Sequence, residues 1–575
     1  MKKSLFLFCP ILIGSMAIMH VRNNFKTTRI EQDQKAKSSN VIDCTPGTEE
    51  NIYAGKDGKF ISVLPGWGNH SYRITTNNDS AQFYFNQGLS MYYSYHSTEA
   101  IASFKEAAKF DSTCSMAYWG QALAMGPGYN FMFYRMSSGV PAVIEQMNRN
   151  AEQASAKEKD LINAMNRRYN VTDTADKQRK QLNEDYAEAL KPLLAKYSND
   201  VDVKALYTDA IMLVHPWSFW NNDGTPKPWT PELVQCCKEI LKQDPHHPAG
   251  LHYYIHIVEA SRKPEVALAS ADSLIKLYPG VAHMVHMSSH EYQRIGYYAK
   301  GVKANEEADR SLGRYALLAK ELNLLKHTPH YFAVDAYCAL SGGMYKKAVQ
   351  KATTLRNSVD PTYEKNYAQY SYMFPQLAMI RMGRWQDILQ DTSSINPKWI
   401  YAGILNDFAK GMAYAKTRDY TQAEKHLNQL REKQKDTILQ RRFAFAWNTP
   451  YECSVVAEHI LLANMAFNQK KYNEAFTAIQ KAILAEDSLL YAEPSSWMLP
   501  ARQYLGAFLL KLNKPKEAEK VYHEDLVWNP GNGWSLLGLY QALKAQRKTG
   551  ELKKIKALYM YSFSEADVIP PGSVY

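Results

Sequence analysis

Nine of the sixteen histidines in this chain lie between His246 and His330, and their spacing says more than their number. In the stretch Leu251-His252-Tyr253-Tyr254-Ile255-His256-Ile257-Val258-Glu259, the polar residues His252, His256 and Glu259 recur at i, i+4 and i+7. That interval stacks side chains along one helix face, while Leu251, Tyr254, Ile255 and Val258 take the packing places. A second stretch beginning at Ala282 repeats the arrangement with His283, His286 and His290, and His330 opens a third. Imidazole with carboxylate is a ligand set for zinc, iron or copper, and also suits nickel. Neutral imidazole offers one lone pair, and its other nitrogen can be fixed by an acceptor. Three or four such groups make a mononuclear site, with zinc–nitrogen distances of about 2.0–2.1 Å. The set here is larger than one coordination sphere. Either some members support the ligands from behind, or two metals share the groove about 3.5–4 Å apart. Glu259 reads as a ligand or a general base. The spacing is not His-Glu-x-x-His, which argues against a zinc peptidase. Further candidates near the same groove are His330, Tyr337, Asp209 and Arg294. Trp217 and Trp220, in a Trp-, Pro- and Asn-rich insertion from His215 to Trp229, either cover the groove mouth or form a packed loop.

Side chains can converge this way only if their helices lie side by side, and a period of about 34 residues predicts that they do. A frame from Ala81 puts small or apolar residues at Gly88, Met91, Ala100, Phe104 and Ala107. A frame from Leu499 gives Gly506, Leu509, Ala518 and Tyr522 at the same places, and one from Val456 gives Ala463, Ala466, Ala475, Ile479 and Ala482. Small residues there let two antiparallel helices pack closely, and Pro or Asp ends the second. Frames from Pro248, Ala282 and Pro329 continue the grammar, so the fifth and ninth places are His in two consecutive repeats. The expected fold is all-α: a tetratricopeptide-like (TPR) α-solenoid of antiparallel helix pairs over residues 76–565. Its first helices line a concave groove, about 8–10 Å apart axis to axis, with the His-rich part at residues 246–337.

Composition limits the alternatives. An apolar fraction of 46% can bury a large core, which excludes wholesale disorder. The net charge of +11 is a mild excess at this length, with no concentrated basic face, so no nucleic-acid partner is expected. No cysteine pair has Cys-x-x-Cys spacing, and no disulfide is predicted. Lys2 and Lys3 precede an apolar run from Leu5 to Met19, which is shorter than the ~20 residues of a comfortable membrane span. Residues 1–22 read as a signal peptide or N-terminal anchor, the only membrane contact expected. Residues 23–75 read as a tether and irregular segment, and residues 566–575 as a tail.

Phe85-Asn86-Gln87-Gly88-Leu89, Glu99-Ala100-Ile101-Ala102-Ser103-Phe104 and Met116-Ala117-Tyr118-Trp119-Gly120 are similar to the opening repeat of a family of bacterial TPR proteins with a His-rich central segment. His247-Pro248-Ala249-Gly250-Leu251-His252, Glu259-Ala260-Ser261 and His286-Met287-Ser288-Ser289-His290 resemble that family's middle. The resemblance spans roughly residues 80–345. It departs at His96-Ser97-Thr98, where the family reads Asn-His, and at Asp209, where it usually reads Glu. It implies fold and site location but no reaction. The leading expectation is an exported protein, periplasmic or membrane-tethered in a bacterium. Its groove holds a transition metal and acts, by hydrolytic or oxidative chemistry, on a small molecule or peptide. The rival is a non-catalytic scaffold binding a protein or peptide partner there.

Overall fold

The computed structural model of the chain describes residues 52–130, 134–173, 175–318, 329–443 and 447–575. The signal or anchor expected at residues 1–22, and the tether up to residue 51, lie outside them. Among the described residues the architecture is helical, with 25 α-helices and no strand. None of these helices is long and apolar enough to cross a membrane.

The helices pair antiparallel in chain order, as a TPR-like solenoid requires. Gly88 and Gly120, on first helices, flank Phe104 on the second helix between them. A Cβ on Gly88 would lie 2.7 Å from the Phe104 ring, and one on Gly120 would overlap it. Gly506 and Gly538 clasp Tyr522 in the same way near the other end. Many first helices end on one residue in the left-handed region, including Tyr95 (φ 59°), Gly296 (78°), Gly343 (69°), Arg418 (69°), Lys470 (64°) and Asn513 (56°). This turn reverses the chain into the second helix.

Helices begin at Pro248, Ala282 and Pro329, where the period places them. The helix expected from Val456 starts earlier, at Pro450. There the Thr449 hydroxyl accepts from the Glu452 amide and the Glu452 carboxylate accepts from the Thr449 amide, forming a capping box. Residues 52–78 are irregular but packed, with Ile61, Leu64, Trp67 and Ile74 buried.

The apolar interior has two large parts, one reaching from Ile52 to Ala304 and the other from Tyr298 to Phe563. The apolar residues of the histidine helix Pro248–Val258 belong to the first part, and those of Ala282–Arg294 to the first part and to a small third cluster with Ala308, Leu312 and Tyr331. The first helix is buried along its whole length and the second as far as Gln293. The segment 488–500 returns across the concave side. There it touches His290, Tyr370 and Phe408 from three different first helices. Imidazoles facing such a groove are therefore enclosed, and their polar atoms must be satisfied inside the protein.

Candidate metal centre

Six imidazoles, each at most 2% exposed, fall into two sets of three. His252, His256 and His283 form one, and His286, His290 and His330 the other; within each set the potential ligand atoms lie within 4.8 Å of one another. His283 and His286, three places apart on one helix, diverge into different sets. His330 belongs fully to the second, delivered by the Pro329–Ser341 helix.

In the first set the Nε2 atoms converge, with His252 3.0 Å from His283 and 3.1 Å from His256. In the second, His290 Nε2 lies 2.9 Å from His286 Nε2 and 3.2 Å from His330 Nε2. These separations approach the edge of a tetrahedron around zinc, about 3.3 Å for bonds of about 2.05 Å.

The opposite ring nitrogens decide the protons. His252 Nδ1 is 2.7 Å from the Tyr93 carbonyl, which can only accept. His256 Nδ1 is 3.1 Å from Glu259 Oε1. His290 Nδ1 faces Glu259 Oε2 at 3.1 Å and Glu493 Oε2 at 2.5 Å. His286 Nδ1 faces Asn305 Oδ1 at 2.7 Å, and the Asn305 amide is oriented because its Nδ2 donates to the Gly301 carbonyl. All four Nδ1 atoms therefore face acceptors. In His252 and His256, which burial keeps neutral, Nδ1 holds the proton and the two Nε2 atoms aim lone pairs at each other, while His286 and His290 bring their Nε2 atoms equally close. Among the described residues the Nδ1 atoms of His283 and His330 have no hydrogen-bond partner, so each ring is free to place its proton on Nε2 and donate. In the first set that relieves one contact and leaves His252 and His256 opposed. Burial holds His252 well below the ordinary imidazole range, and holds His256 and His330 down to about 3, so none of these three carries a proton on both nitrogens.

A third buried group shows the contrast. His70 Nε2 and His247 Nε2 lie 2.9 and 3.3 Å from Asp202 Oδ1, which also accepts from the Tyr93 hydroxyl. His247 Nδ1 accepts from the Gly250 amide, capping the Pro248 helix, so its Nε2 carries the proton. Each hydrogen from His247 and Tyr93 meets a carboxylate acceptor. This network is a clasp with no unmet lone pair.

Glu259 sits behind the imidazoles and links the two sets through His256 and His290. Arg294 donates to the Glu259 and Ser261 carbonyls, which holds the end of that helix. Asp209 accepts from the Tyr92 hydroxyl at 2.5 Å and belongs to neither set; burial raises its carboxyl to about 6. Tyr337 and Arg294 line a cavity of about 490 Å³ together with Trp217 and Trp220. His215 stacks on Trp229 with centroids 3.5 Å apart. Sequence spacing missed Glu493 and the Tyr93 carbonyl, which come from remote repeats, and Asn305, which stands on the second helix of the same repeat as His286; none carries a local pattern. It also missed Tyr95, whose ring centroid lies 4.4 Å from that of His252 and 5.6 Å from those of His256 and His283.

No family model and no curated protein matches the chain. Among solved structures it is similar to human IFIT1 in its dimer with m7Gppp-AAAA, at 12% identity and a TM-score of 0.30, covering 86% of this chain and 92% of that one. It is also similar to the APC/C hetero-tetramer Cut9-Hcn1, at 13% identity and TM-score 0.28 over 82% and 78% of the two chains. Yeast Tom70 matches at 13% and 0.27 over 83% and 92%. The helix pairing described above, rather than these scores, establishes the repeat architecture.

Proposed function

We propose that this protein binds two transition-metal ions, one on each three-histidine set, inside a TPR-like scaffold. One observation carries the reading: the buried His252 and His256 point lone pairs at each other across 3.1 Å, and His286 and His290 repeat that approach of Nε2 atoms at 2.9 Å. Their Nδ1 atoms face acceptors from behind. A cation between the Nε2 atoms would turn such opposed lone pairs into bonds. The acceptors on Nδ1 are the partners that metal-bound histidines use. All-imidazole sets suit zinc or copper better than iron, because neither set contains the facial carboxylate of iron oxygenases. Three ligands also leave a fourth tetrahedral position, the arrangement that catalytic zinc employs. The Lys2-Lys3 start and apolar run from Leu5 to Met19 support export as the setting in which the metal is acquired.

The test is elemental analysis of the purified mature protein, followed by zinc and copper titration of the chelator-stripped chain. Two equivalents per chain are expected, falling to one in His283→Ala or His330→Ala. A folded protein that takes up neither ion stoichiometrically would end the metal reading.

A further inference from the structure

The 490 Å³ cavity beside the histidine sets has an unusual charge balance. Arg262, Arg294 and Arg502 all line it. Arg502 is neutralised by Asp487, with contacts of 2.6 and 2.7 Å. Among the described residues Arg294 donates to main-chain carbonyls, and Arg262 donates to the Asn222 carbonyl. Neither makes an ion pair within 4.0 Å among the described residues. Burial, then the nearby Arg294 guanidinium, lowers Arg262 to about 10. Glu486, also on the wall, offers no compensation at neutral pH, since burial pushes its carboxyl up to about 8. Two half-buried guanidinium groups thus face one space with no carboxylate within 4.0 Å of either among the described residues, the nearby Asp487 being taken up by Arg502.

The walls are flat and aromatic. The Arg262 guanidinium lies 3.8 Å above the Trp528 ring, with Arg502 5.3 Å away on the same ring, and Arg294 lies 5.1 Å over Tyr491. Trp220 is held rigidly because its indole N–H donates to the Ile257 carbonyl at 2.7 Å. Aromatic walls fix a flat apolar body, while planar guanidinium forks bind a carboxylate or phosphate in two-point fashion. The volume is that of a small-molecule site.

We infer that this cavity is a binding site for a small organic anion carrying a flat apolar body, with Arg262 and Arg294 holding the anionic group. This inference goes beyond the metal reading and does not depend on it.

The experiment is calorimetric titration of the purified full chain, metal content as isolated, with 1-naphthoate, neutral 1-naphthamide and inorganic phosphate. The expected result is one saturable 1-naphthoate site, with the amide and inorganic phosphate each at least tenfold weaker. Arg262→Gln should weaken 1-naphthoate at least tenfold with metal content unchanged. Arg262→Lys, which keeps the charge and loses the fork, should fall between and covers the case in which the glutamine variant fails to fold. No binding at millimolar 1-naphthoate, equal binding of the amide, or equal binding by folded Arg262 variants would overturn the assignment. So would tighter binding of a C-terminal pentapeptide carboxylate, which would make the site a peptide groove. Arginine-dependent binding to a metal-free chain would uphold the cavity while the metal reading fell.

Discussion

Glu259→Leu separates the two histidine sets. The carboxylate holds His256 through Oε1 and His290 through Oε2, both at 3.1 Å, and leucine fills similar space but accepts no hydrogen bond. His290 keeps Glu493 at 2.5 Å, whereas Glu259 is the one acceptor of the His256 Nδ1 proton among the described residues. That proton must then stay unpaired at a buried position, costing about 1–3 kcal/mol, or move to Nε2 and remove the lone pair. Loss of such a supporting partner typically weakens metal binding about 10–100-fold, or about 1.4–2.7 kcal/mol, so the two routes agree. The first set should lose that affinity, and the second should change by no more than about threefold. Competition of the stripped protein against a chelating dye for zinc resolves two steps, which His283→Ala and His330→Ala assign to the sets. Glu493→Leu should show the opposite bias, and more weakly, because Glu259 still supports His290. Equal losses at both steps in Glu259→Leu, or none, would refute the role given to Glu259.

Three other perturbations probe the rest of the molecule. Adding a metal chelator to metal-loaded protein should lower its melting temperature, because an ion bound only to the folded state stabilises it by mass action; an unchanged transition with metal removed would contradict this. Asp209 is raised to about 6 by burial, against about 3.9 in an unfolded chain. A raised acid contributes stability that is complete below about pH 4 and lost as pH climbs through 6, amounting to ~3 kcal/mol. Thermal melts should therefore favour Asp209→Asn over the wild type increasingly between pH 4 and 7, and parallel curves would count against the raised carboxyl. Gly538→Ala drives a methyl into the Tyr522 ring, whereas nothing lies within 4 Å of a Cβ on Gly550. Urea unfolding should show a loss of about 1–3 kcal/mol for the first and near neutrality for Gly550→Ala.

The repeat and the placing of the histidines could be read in advance because both are local. Gly88, Ala100 and Phe104 mark a helix pair within one period, and His252, His256 and Glu259 mark one face within two turns. The division of the imidazoles was not legible. His283 and His286 are one helical turn apart, and only the relative rotation of three neighbouring helices sends them to different partners. The supporting acceptors were less accessible still. The Tyr93 carbonyl has no side-chain signature, and Glu493 stands in a segment that folds back over the groove from a distant repeat. The spacing of first helices predicts an open concave face; segment 488–500 fills part of that face, and this return of the chain has no periodic trace.

Gly296 and Gly531 approach so closely that a Cβ on Gly296 would overlap the Gly531 carbonyl and one on Gly531 the Ile295 carbonyl, and Gly66 accepts from the Gly280 amide at 3.0 Å. Solenoids usually stretch and peel like springs, because each coil touches only the next. Here residues near both ends of the described chain are stitched back onto its middle, so the coils are clamped to one another as well as stacked. Uncoiling this spring means undoing a clamp as well as a stack, and the enclosed His283, His286 and His290 sit between the two clamps in the chain.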